Sequence, residues 1–347
     1  MAKAEQPAMK SIEDELRSAL HEAAIEHFGD GTEIEGLVKL SGGASRETWS
    51  FDAAIPDGGR LPLILKRDPP SDEVTDGPTG VASVLGVDRW TEGRLLELAG
   101  EVGVPVPRVH FFLAADPRTT AGFVMQRLEG ETLGRRILRE DAYAEARPKL
   151  AFQCGQAAAR LHGIPIDRLP PLNSLRVDEE LQLYRDILDS FEHAHAGFEY
   201  ALHWLEERQA LAGDGHTLAH GDYRNGNFVV GPDGLRAVLD WELGHLGNPF
   251  SDLGWICIKS WRYGHVGKPV GGFGEVDELL AGYQAGGGAP FTVENLRFWE
   301  VFGCMRWGVV CVINAFSFLT GSQRTIETAT IGRRAAETEY DLLELLD

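Results

Sequence analysis

The stretch that decides the fold spans residues 216–255 and reads HTLAHGDYRNGNFVVGPDGLRAVLDWELGHLGNPFSDLGW. Within it, residues 228–230 (FVV) and 237–241 (AVLDW) are β-branched or aromatic runs separated by GPDGLR, which opens with a turn sequence. Such a pattern predicts an antiparallel hairpin. The loop HGDYRNGN precedes the first strand and Asp240 lies near the end of the second, so we expect both to face the same side.

The polar residues around this hairpin suit phosphoryl transfer. That reaction needs one carboxylate to orient the attacking hydroxyl and accept its proton, and hard oxygen ligands for a Mg²⁺ ion that bridges the phosphates. Asp222 suits the first role, and Asn227 with Asp240 suits the second. The pattern therefore predicts a phosphoryl-transfer site that binds Mg²⁺.

Three groups of residues carry a resemblance to a known family: His220-Gly221-Asp222, Asn227, and Asp240-Trp241-Glu242. They resemble the catalytic and metal-binding loops of the aminoglycoside phosphotransferase family, small-molecule kinases that are similar to eukaryotic protein kinases. The match continues through LGNPFSDLGW, where Asp252 stands at the position that usually braces the catalytic loop. Asn248 departs from the family, which usually has Asp there, and this puts the hydrogen bonding behind the site in question. The resemblance implies ATP and Mg²⁺ as cofactors.

The N-terminal part of the chain reads as a nucleotide-binding sheet. From residue 36 onward the apolar residues change to a period of about two, which predicts a strand, a glycine turn, a strand, and a third strand that ends in Lys66. The turn is Ser41-Gly42-Gly43-Ala44-Ser45, whose small residues would let backbone N–H groups approach the phosphates of a nucleotide. A plain hairpin and a solvated strand end are the competing interpretations of these two features.

The resemblance assigns roles to further residues of this part. It places Lys66 on the nucleotide phosphates and Glu92, on a helix predicted for residues 84–98, as its ion-pair partner; Glu97 is the competing candidate. Two further strands, residues 109–113 and 123–128, complete a sheet of about five strands. The second of them resembles the strand and hinge between two lobes. It nominates the main chain of Gln126 and Leu128 for adenine recognition, by position only.

The remaining segments are mostly helical by apolar spacing, and their predicted bounds are residues 11–28 with Ser11 as N-cap, 141–161, two helices within 180–210, 255–261, 276–285, 292–319 and 322–346. We therefore predict an α+β, protein-kinase-like fold of two lobes. The first lobe, residues 1–127, holds an N-terminal helix and a small antiparallel β-sheet. The second, residues 128–347, is larger, mainly helical and catalytic, with the nucleotide bound between the lobes.

Composition limits the partners and the compartment. The net charge of −20 argues against binding nucleic acid or an anionic membrane, both of which favour a basic surface. Four cysteines without a CxxC pair, and a start without a signal-peptide pattern, predict a reduced, cytoplasmic protein. The apolar run at residues 301–319 contains Arg306 and Asn314, which indicates a buried helix rather than a membrane span. We expect a monomer or a homodimer.

The acceptor is the least constrained part of the prediction. Residues 259–334 contain eight basic and six acidic residues together with many aromatic ones, a local reversal in an acidic chain. This mixture suits a hydroxylated acceptor with an apolar body and an anionic group, such as a hydroxyacyl species. Buried core aromatics and salt-bridged surface arginines would produce the same counts.

Three other functions stay open at this point. The chain would be an aminoglycoside O-phosphotransferase that confers resistance, a nucleotide-binding regulatory protein without turnover, or a hydrolase with a metal held by Asp222, Asp240 and His220.

Overall fold

The computed structural model describes residues 6–40, 46–69, 86–116, 118–191 and 193–347. Contacts divide the described chain into two compact units. The first, here called the sheet unit, lies within Met1–Thr75, Asp88–Glu97 and Pro107–Leu128. The second, here called the helical unit, contains the remainder, most of it in Glu129–Asp347.

The sheet unit is built around one antiparallel sheet of five strands. Its elements in chain order are α1 (Gln6–Phe28), β1 (Glu33–Lys39), β2 (Glu47–Ala54), β3 (Arg60–Arg67), the start of α2 (Arg89–Glu101), β4 (Val109–Leu113) and β5 (Gly122–Gln126). The strand order is β1-β2-β3-β5-β4, with every neighbouring pair antiparallel. The five-stranded sheet predicted from the sequence is therefore confirmed.

The core of the sheet unit follows from the alternation along its strands. In β2 the burial alternates strictly from one residue to the next, so that Phe51 points into the core while its neighbours are partly exposed. Leu16 and Leu20 of α1 pack with Phe51 and Leu63 in a single apolar cluster. The helix α1 begins at Gln6, five residues before the predicted N-cap at Ser11, so Ser11 lies inside the helix and does not cap it.

The helical unit contains nine helices and two small hairpin-like sheets among its described residues. The strands are β6 (Thr217–Ala219), β7 (Phe228–Gly231), β8 (Gly234–Val238) and β9 (His245–Gly247). The helices that lie wholly in this unit are α3 (Gly134–Arg139), α4 (Arg147–His162), α5 (Val177–Asp189), α6 (Ala196–Glu206), α7 (Phe250–Trp255), α8 (Val276–Ala285), α9 (Val293–Thr320), α10 (Ile326–Gly332) and α11 (Ala335–Leu346). Strands β6 and β9 pair antiparallel, as do β7 and β8.

Three predicted helices of this unit differ in extent from the structure. The helix predicted for residues 141–161 begins at Arg147, after a 3-10 turn at Asp141–Tyr143. Residues 255–261 are not one helix: α7 ends at Trp255 and a short 3-10 turn follows at Lys259–Arg262. On a continuous helix, residues six apart point about 120° away from each other, whereas the turn brings the rings of Trp255 and Trp261 to 5.4 Å between centroids.

The predicted helix of residues 322–346 is divided into α10 and α11. It divides because a Cβ on Gly332 would lie only 2.6 Å from the Ala315 Cα, so the chain passes close against α9 at that point. The start of α10 had a sequence signal, since the Thr325 hydroxyl accepts from the Thr328 N–H as a helix N-cap.

The long helix α9 forms the centre of the helical unit. It begins with Thr292 as N-cap and is long and apolar enough to cross a membrane by composition, but 61% of its most apolar segment is buried inside the protein. Its residues Trp299 and Phe302 are almost fully buried. The position of α9 thus agrees with the buried helix that was predicted for residues 301–319.

Candidate active site

The hairpin β7–β8 places the residues of the central motif. Phe228 pairs with Val238, and the next main-chain bond joins the Leu239 N–H to the Asn227 carbonyl at 2.8 Å. Asn227 therefore lies opposite Leu239, one residue from Asp240. The predicted hairpin is present, although β8 ends two residues before Asp240.

Asp222 lies in the loop before β7 with its carboxylate held by three N–H groups. Oδ1 accepts from the Trp255 indole at 2.7 Å, and Oδ2 accepts from the Asn227 amide at 2.7 Å. The Arg224 Nε lies between the two oxygens, at 2.9 and 3.1 Å. The three donors make four contacts, because Nε is shared between the oxygens, and the Asp222 side chain is still 17% exposed.

Asn227 uses its amide nitrogen twice within the loop. Nδ2 donates to the Asp222 carbonyl at 2.9 Å and to the Asp222 carboxylate at 2.7 Å. Because a donor to two oxygens must be the NH₂ group, the orientation of the amide is set and Oδ1 is the atom able to ligate a cation.

Asp240 has a backbone conformation that side chains other than glycine rarely adopt. Its φ is +67°, and the only other such non-glycine residue among the described ones is Tyr263. The neighbouring Trp241 is fully buried and its indole donates to the Val238 carbonyl at 3.1 Å. Strained backbone conformations such as that of Asp240 collect at functional sites.

His220 connects the two loops that carry these residues. Its Nδ1 accepts from the Asp222 N–H at 3.2 Å, which requires an unprotonated Nδ1, and its Nε2 donates to the Leu239 carbonyl at 3.0 Å. The ring is fully buried, and this burial lowers the pKa of His220 below its ordinary value of 6.5. His220 thus fixes Asp222 and the residue before Asp240 relative to each other.

These contacts of His220 disfavour the metal hydrolase, which needs His220 as a ligand. With both ring nitrogens engaged, the imidazole has no lone pair left for a metal. Within the described ranges no group of three His, Cys, Asp or Glu side chains is placed to hold a metal ion.

Asp252 braces the loop from below, as the resemblance implied. Its carboxylate accepts from the His220 N–H at 2.7 Å and from the Gly221 N–H at 3.0 Å. His162 donates from the other side at 3.1 Å. Burial alone would raise the pKa of Asp252, but the hydrogen bond and charge of His162 and the donors of the loop outweigh it, so the pKa is below its ordinary value.

Asn248, the departure from the family pattern, takes part in the local structure instead. Its Oδ1 accepts from the Phe250 N–H at 2.9 Å, at the start of α7, and its Nδ2 donates to the Gly213 carbonyl at 3.0 Å. None of the metal-ligand candidates contacts it. The substitution therefore affects the entry to α7 rather than the candidate ligands.

In the sheet unit, Lys66 and Glu92 meet. The Lys66 Nζ lies 2.9 Å from the Glu92 carboxylate, which is fully buried. Arg46 approaches the same carboxylate at 3.4 Å, and Arg89 also pairs with it. The competing candidate, Glu97, pairs with Arg94 instead.

Sequence reasoning missed Arg46 and Arg89 as partners of Glu92. Arg89 was detectable, because it precedes Glu92 by three residues on one helix. Arg46 was not, since it comes from a segment 46 residues away.

Two predicted groups of nucleotide-binding residues remain predictions. The segment Ser41-Gly42-Gly43-Ala44-Ser45 lies outside the described residues. Gln126 is the last residue of β5. Its main-chain N–H donates to the Arg108 carbonyl at 2.8 Å, so this N–H is not available to the adenine base. Leu128 follows the strand and is partly exposed.

The surroundings of Asp222 are aromatic and cationic. Trp255, which donates to Asp222, carries the Arg306 guanidinium over its ring at 4.6 Å, and Arg306 donates to the Gly221 carbonyl at 2.8 Å. Other basic residues of the 259–334 region form ordinary ion pairs, such as Lys259 with Asp341 and Lys268 with Glu275. The excess of basic residues in this region therefore does not by itself indicate a binding site for an anionic acceptor. The basic residue of this region that lies near Asp222 is Arg306.

Comparison with known proteins identifies the family of this chain. The model of the phosphotransferase enzyme family matches residues 36–299. Among curated proteins, the Arabidopsis thaliana protein named "probable acyl-CoA dehydrogenase IBR3" is 26% identical over 314 residues, covering 82% of this chain and 36% of that protein. This chain spans about a third of the length of such relatives.

Solved structures share the fold at low identity. A Ralstonia eutropha protein provisionally described as an aminoglycoside phosphotransferase has a TM-score of 0.71 at 18% identity, covering 94% of this chain and 97% of the other. The macrolide 2'-phosphotransferase MphH of Brachybacterium faecium has a TM-score of 0.60 at 20% identity, covering 92% and 97%. The predicted α+β, protein-kinase-like fold is thus confirmed. The family model covers most of the chain, and the protein belongs to the phosphotransferase enzyme family.

Proposed function

We propose that this protein is an ATP- and Mg²⁺-dependent kinase that transfers the γ-phosphate to a hydroxyl group of a small molecule. The observation that carries the proposal is the oriented carboxylate of Asp222, held by three N–H donors beside Asn227 and one strand position from Asp240. A catalytic carboxylate must remain accessible to the acceptor hydroxyl, whereas a carboxylate with a purely structural role can be fully buried. The side chain of Asp222 retains 17% exposure despite its three donors.

In the proposed reaction, Asp222 accepts a hydrogen bond from the acceptor hydroxyl and aims its oxygen at the γ-phosphorus. A bond forms between that oxygen and phosphorus, and the bond from phosphorus to the β,γ-bridging oxygen breaks. The hydroxyl proton passes to Asp222, and ADP leaves with the bridging oxygen. Positioning and charge neutralisation supply most of the catalysis in such transfers.

Asn227 and Asp240 would hold the Mg²⁺ ion. The amide oxygen Oδ1 of Asn227 and the carboxylate of Asp240 are hard oxygen donors, as Mg²⁺ prefers, with water and phosphate oxygens completing its shell. Bound there, the ion would neutralise the charge that develops on the phosphates. The backbone of Asp240 is in the left-handed region, with φ +67°.

Lys66 would bind nucleotide phosphates while Glu92 holds its ammonium in place. The ion pair at 2.9 Å and the burial of Glu92 support this role. Phosphate contacts from Ser41-Gly42-Gly43-Ala44-Ser45 and adenine contacts at Gln126 and Leu128 belong to the same proposal. So does the division into a nucleotide-binding lobe of residues 1–127 and a catalytic lobe of residues 128–347.

The acceptor we propose is a hydroxyacyl compound or a hydroxy acid with an apolar body. The relatives named acyl-CoA dehydrogenases, about a third of whose length matches this chain, suggest a link to acyl chemistry. The surroundings of Asp222 agree, since the charged neighbour of its carboxylate is the Arg224 guanidinium. An aminoglycoside is a polycation and would meet a guanidinium beside the attacking oxygen, which disfavours the resistance enzyme.

The test is a panel of acceptors incubated with ATP and Mg²⁺. ADP release and a mass increase of one phosphate on the acceptor are measured for wild-type protein and Asp222→Asn. We expect hydroxyacyl or hydroxy acid acceptors to gain phosphate, with a rate at least about a hundredfold lower in the variant. Equal ADP release in the two proteins would show a nucleotide-binding protein without catalysis, and phosphate on aminoglycosides alone would refute the proposed acceptor.

A further inference from the structure

Arg224 is held in one orientation beside the candidate catalytic carboxylate. Its Nε donates to both oxygens of Asp222, and its guanidinium carbon lies 4.4 Å from the ring centre of Trp261. Its Nη1 lies close over Gly226, where an added Cβ would be only 2.6 Å from this nitrogen. The side chain is thus fixed on three sides.

The terminal nitrogens of Arg224 point to a ligand. Among the described residues, no hydrogen-bond acceptor is found for Nη1 or Nη2, although the side chain is only 23% exposed. Burial opposes the charge, but the carboxylate of Asp222 keeps the pKa of Arg224 above its ordinary value, so the guanidinium stays charged. Four N–H donors therefore remain on a cation next to the reacting position.

The floor under Arg224 is rigid and apolar. Trp261 packs against Trp255 at 5.4 Å and against Trp307 at 4.8 Å between ring centres, and we call these three residues the tryptophan stack. The indole nitrogens of Trp261 and Trp307 are buried without a hydrogen-bond partner in the described part of the chain. Buried polar groups usually have partners, so the stack holds donors that the fold itself does not use.

The chain segment after the stack carries the second strained residue of the described chain. Tyr263 has φ +45°, and its hydroxyl donates to the Asn225 carbonyl at 3.1 Å, inside the catalytic loop. The Tyr263 hydroxyl also lies 3.0 Å from where a Cβ on Gly226 would be. Strain of this kind persists where surrounding contacts enforce it, and here it keeps the segment of Trp261 against the loop of Arg224.

We propose that Arg224 binds an oxygen of the acceptor, an acyl carbonyl or a carboxylate a few bonds from the hydroxyl that meets Asp222, and so selects acyl-type acceptors. The inference rests on the proposed function. Arg224 contacts Asp222 through Nε. Its Nη1 and Nη2 therefore face an acceptor atom a few bonds away from the hydroxyl that binds Asp222. The Trp261 ring is 6% exposed and lies against the guanidinium, so its part is to hold Arg224 in this orientation.

The same features favour the acceptor over the nucleotide as the ligand of Arg224. The charge of Arg224 is already partly neutralised by Asp222, which suits a neutral carbonyl or a single carboxylate better than a polyphosphate.

The test compares three probes that share one carbon skeleton: a medium-chain hydroxy fatty acid, its methyl ester, and the alkanol with its hydroxyl on the same carbon. Values of kcat and KM are measured for wild type, Arg224→Gln and Arg224→Lys. We expect the ratio of kcat/KM for the acid and the ester to that for the alkanol to fall about tenfold to a hundredfold in Arg224→Gln, mainly through KM. Arg224→Lys keeps the charge but loses the fixed fork, so we expect an intermediate ratio.

Arg208 supplies the matched control, because it lies over the Trp204 ring at 4.9 Å in the same unit and makes no contact with the catalytic loop. Arg208→Gln should keep the wild-type ratio. If Arg224→Gln lowers kcat/KM for all three probes equally, or raises the KM for ATP by the same factor, Arg224 acts on Asp222 or on the nucleotide and the inference is overturned.

Calorimetric titration of the same probes separates this inference from the proposed function. If wild-type protein binds the acid and the ester more tightly than the alkanol, and Arg224→Gln abolishes that preference, the inference holds even if no probe gains a phosphate. Absence of phosphate transfer would count against the proposed function alone. Equal binding of the three probes by wild type would overturn the inference.

Discussion

Glu92 in the sheet unit and Asp222 in the helical unit are both held by several donors, but the donors differ in kind. Glu92 is fully buried among Lys66, Arg46 and Arg89, three cations. Asp222 is partly exposed, and two of its three donors are neutral, an indole and an amide. Glu92 therefore neutralises neighbouring cations, whereas the charge of Asp222 is only partly neutralised by its donors.

This difference separates stability from activity. Removing the charge of a buried carboxylate takes away a counter-charge that its cations face in a low dielectric, which costs several kcal/mol. Removing the charge of a carboxylate that neutral donors orient costs far less in stability but removes the group that does the chemistry. Variants of the two regions should therefore fail in opposite ways.

The largest effect on rate is expected from Asp240→Asn. Asparagine tolerates the left-handed backbone that Asp240 adopts, so the fold should be kept while one anionic ligand for Mg²⁺ is lost. We expect turnover to fall about a hundredfold to a thousandfold, with the midpoint of thermal unfolding nearly unchanged. Steady-state kinetics over a range of Mg²⁺ concentrations is the measurement, and full activity at wild-type Mg²⁺ levels would contradict the assignment.

The largest effect on stability is expected from Glu92→Gln. The substitution leaves Lys66, Arg46 and Arg89 around a neutral amide, and we expect the free energy of unfolding to fall by about 3 kcal/mol. Urea denaturation measures this directly. Glu97→Gln is the matched control on the same helix, because the Glu97 pair with Arg94 is partly exposed and should contribute less than about 1 kcal/mol.

If Glu92→Gln destabilises the protein no more than Glu97→Gln does, the cluster in the sheet unit is not a charge-cancelling one. The claim that Glu92 mainly serves stability would then be wrong.

The smallest expected effect is the pH dependence of stability that is due to His220. The pKa of His220 is lower in the folded protein than its ordinary 6.5, so the unfolded chain binds the proton first as the pH falls. The stability due to neutral His220 is fully present above pH 6.5 and is lost progressively below it. We expect wild-type stability to fall between pH 6.5 and pH 5 more steeply than that of His220→Asn, as followed by urea unfolding at each pH; parallel curves would contradict a neutral His220.

The parts of the site that the sequence could predict are those that local spacing determines. Asn227 and Asp240 flank one hairpin, so the register of two short strands brings them together without any distant contact. The position of Asp252 under the loop followed from the family pattern. These elements depend on a few consecutive residues.

The parts that the sequence could not predict depend on packing between distant segments. Trp255 reaches Asp222 from 33 residues away, and Trp261 stacks on Arg224 only because a helix ends early. Arg224 is part of the sequence HGDYRNGN, but its role depends on its position over the Trp261 ring. Side-chain stacking of this kind has no signature in spacing.

The most direct test of the central claim measures Mg²⁺·ATP affinity and turnover on the same preparation of Asp222→Asn. If Asp222 acts on the acceptor and not on the nucleotide, calorimetry should give a dissociation constant within about threefold of wild type while phosphate transfer falls at least about a hundredfold. Unchanged transfer, or affinity and transfer that fall together, would contradict Asp222 as the residue that accepts the proton of the acceptor.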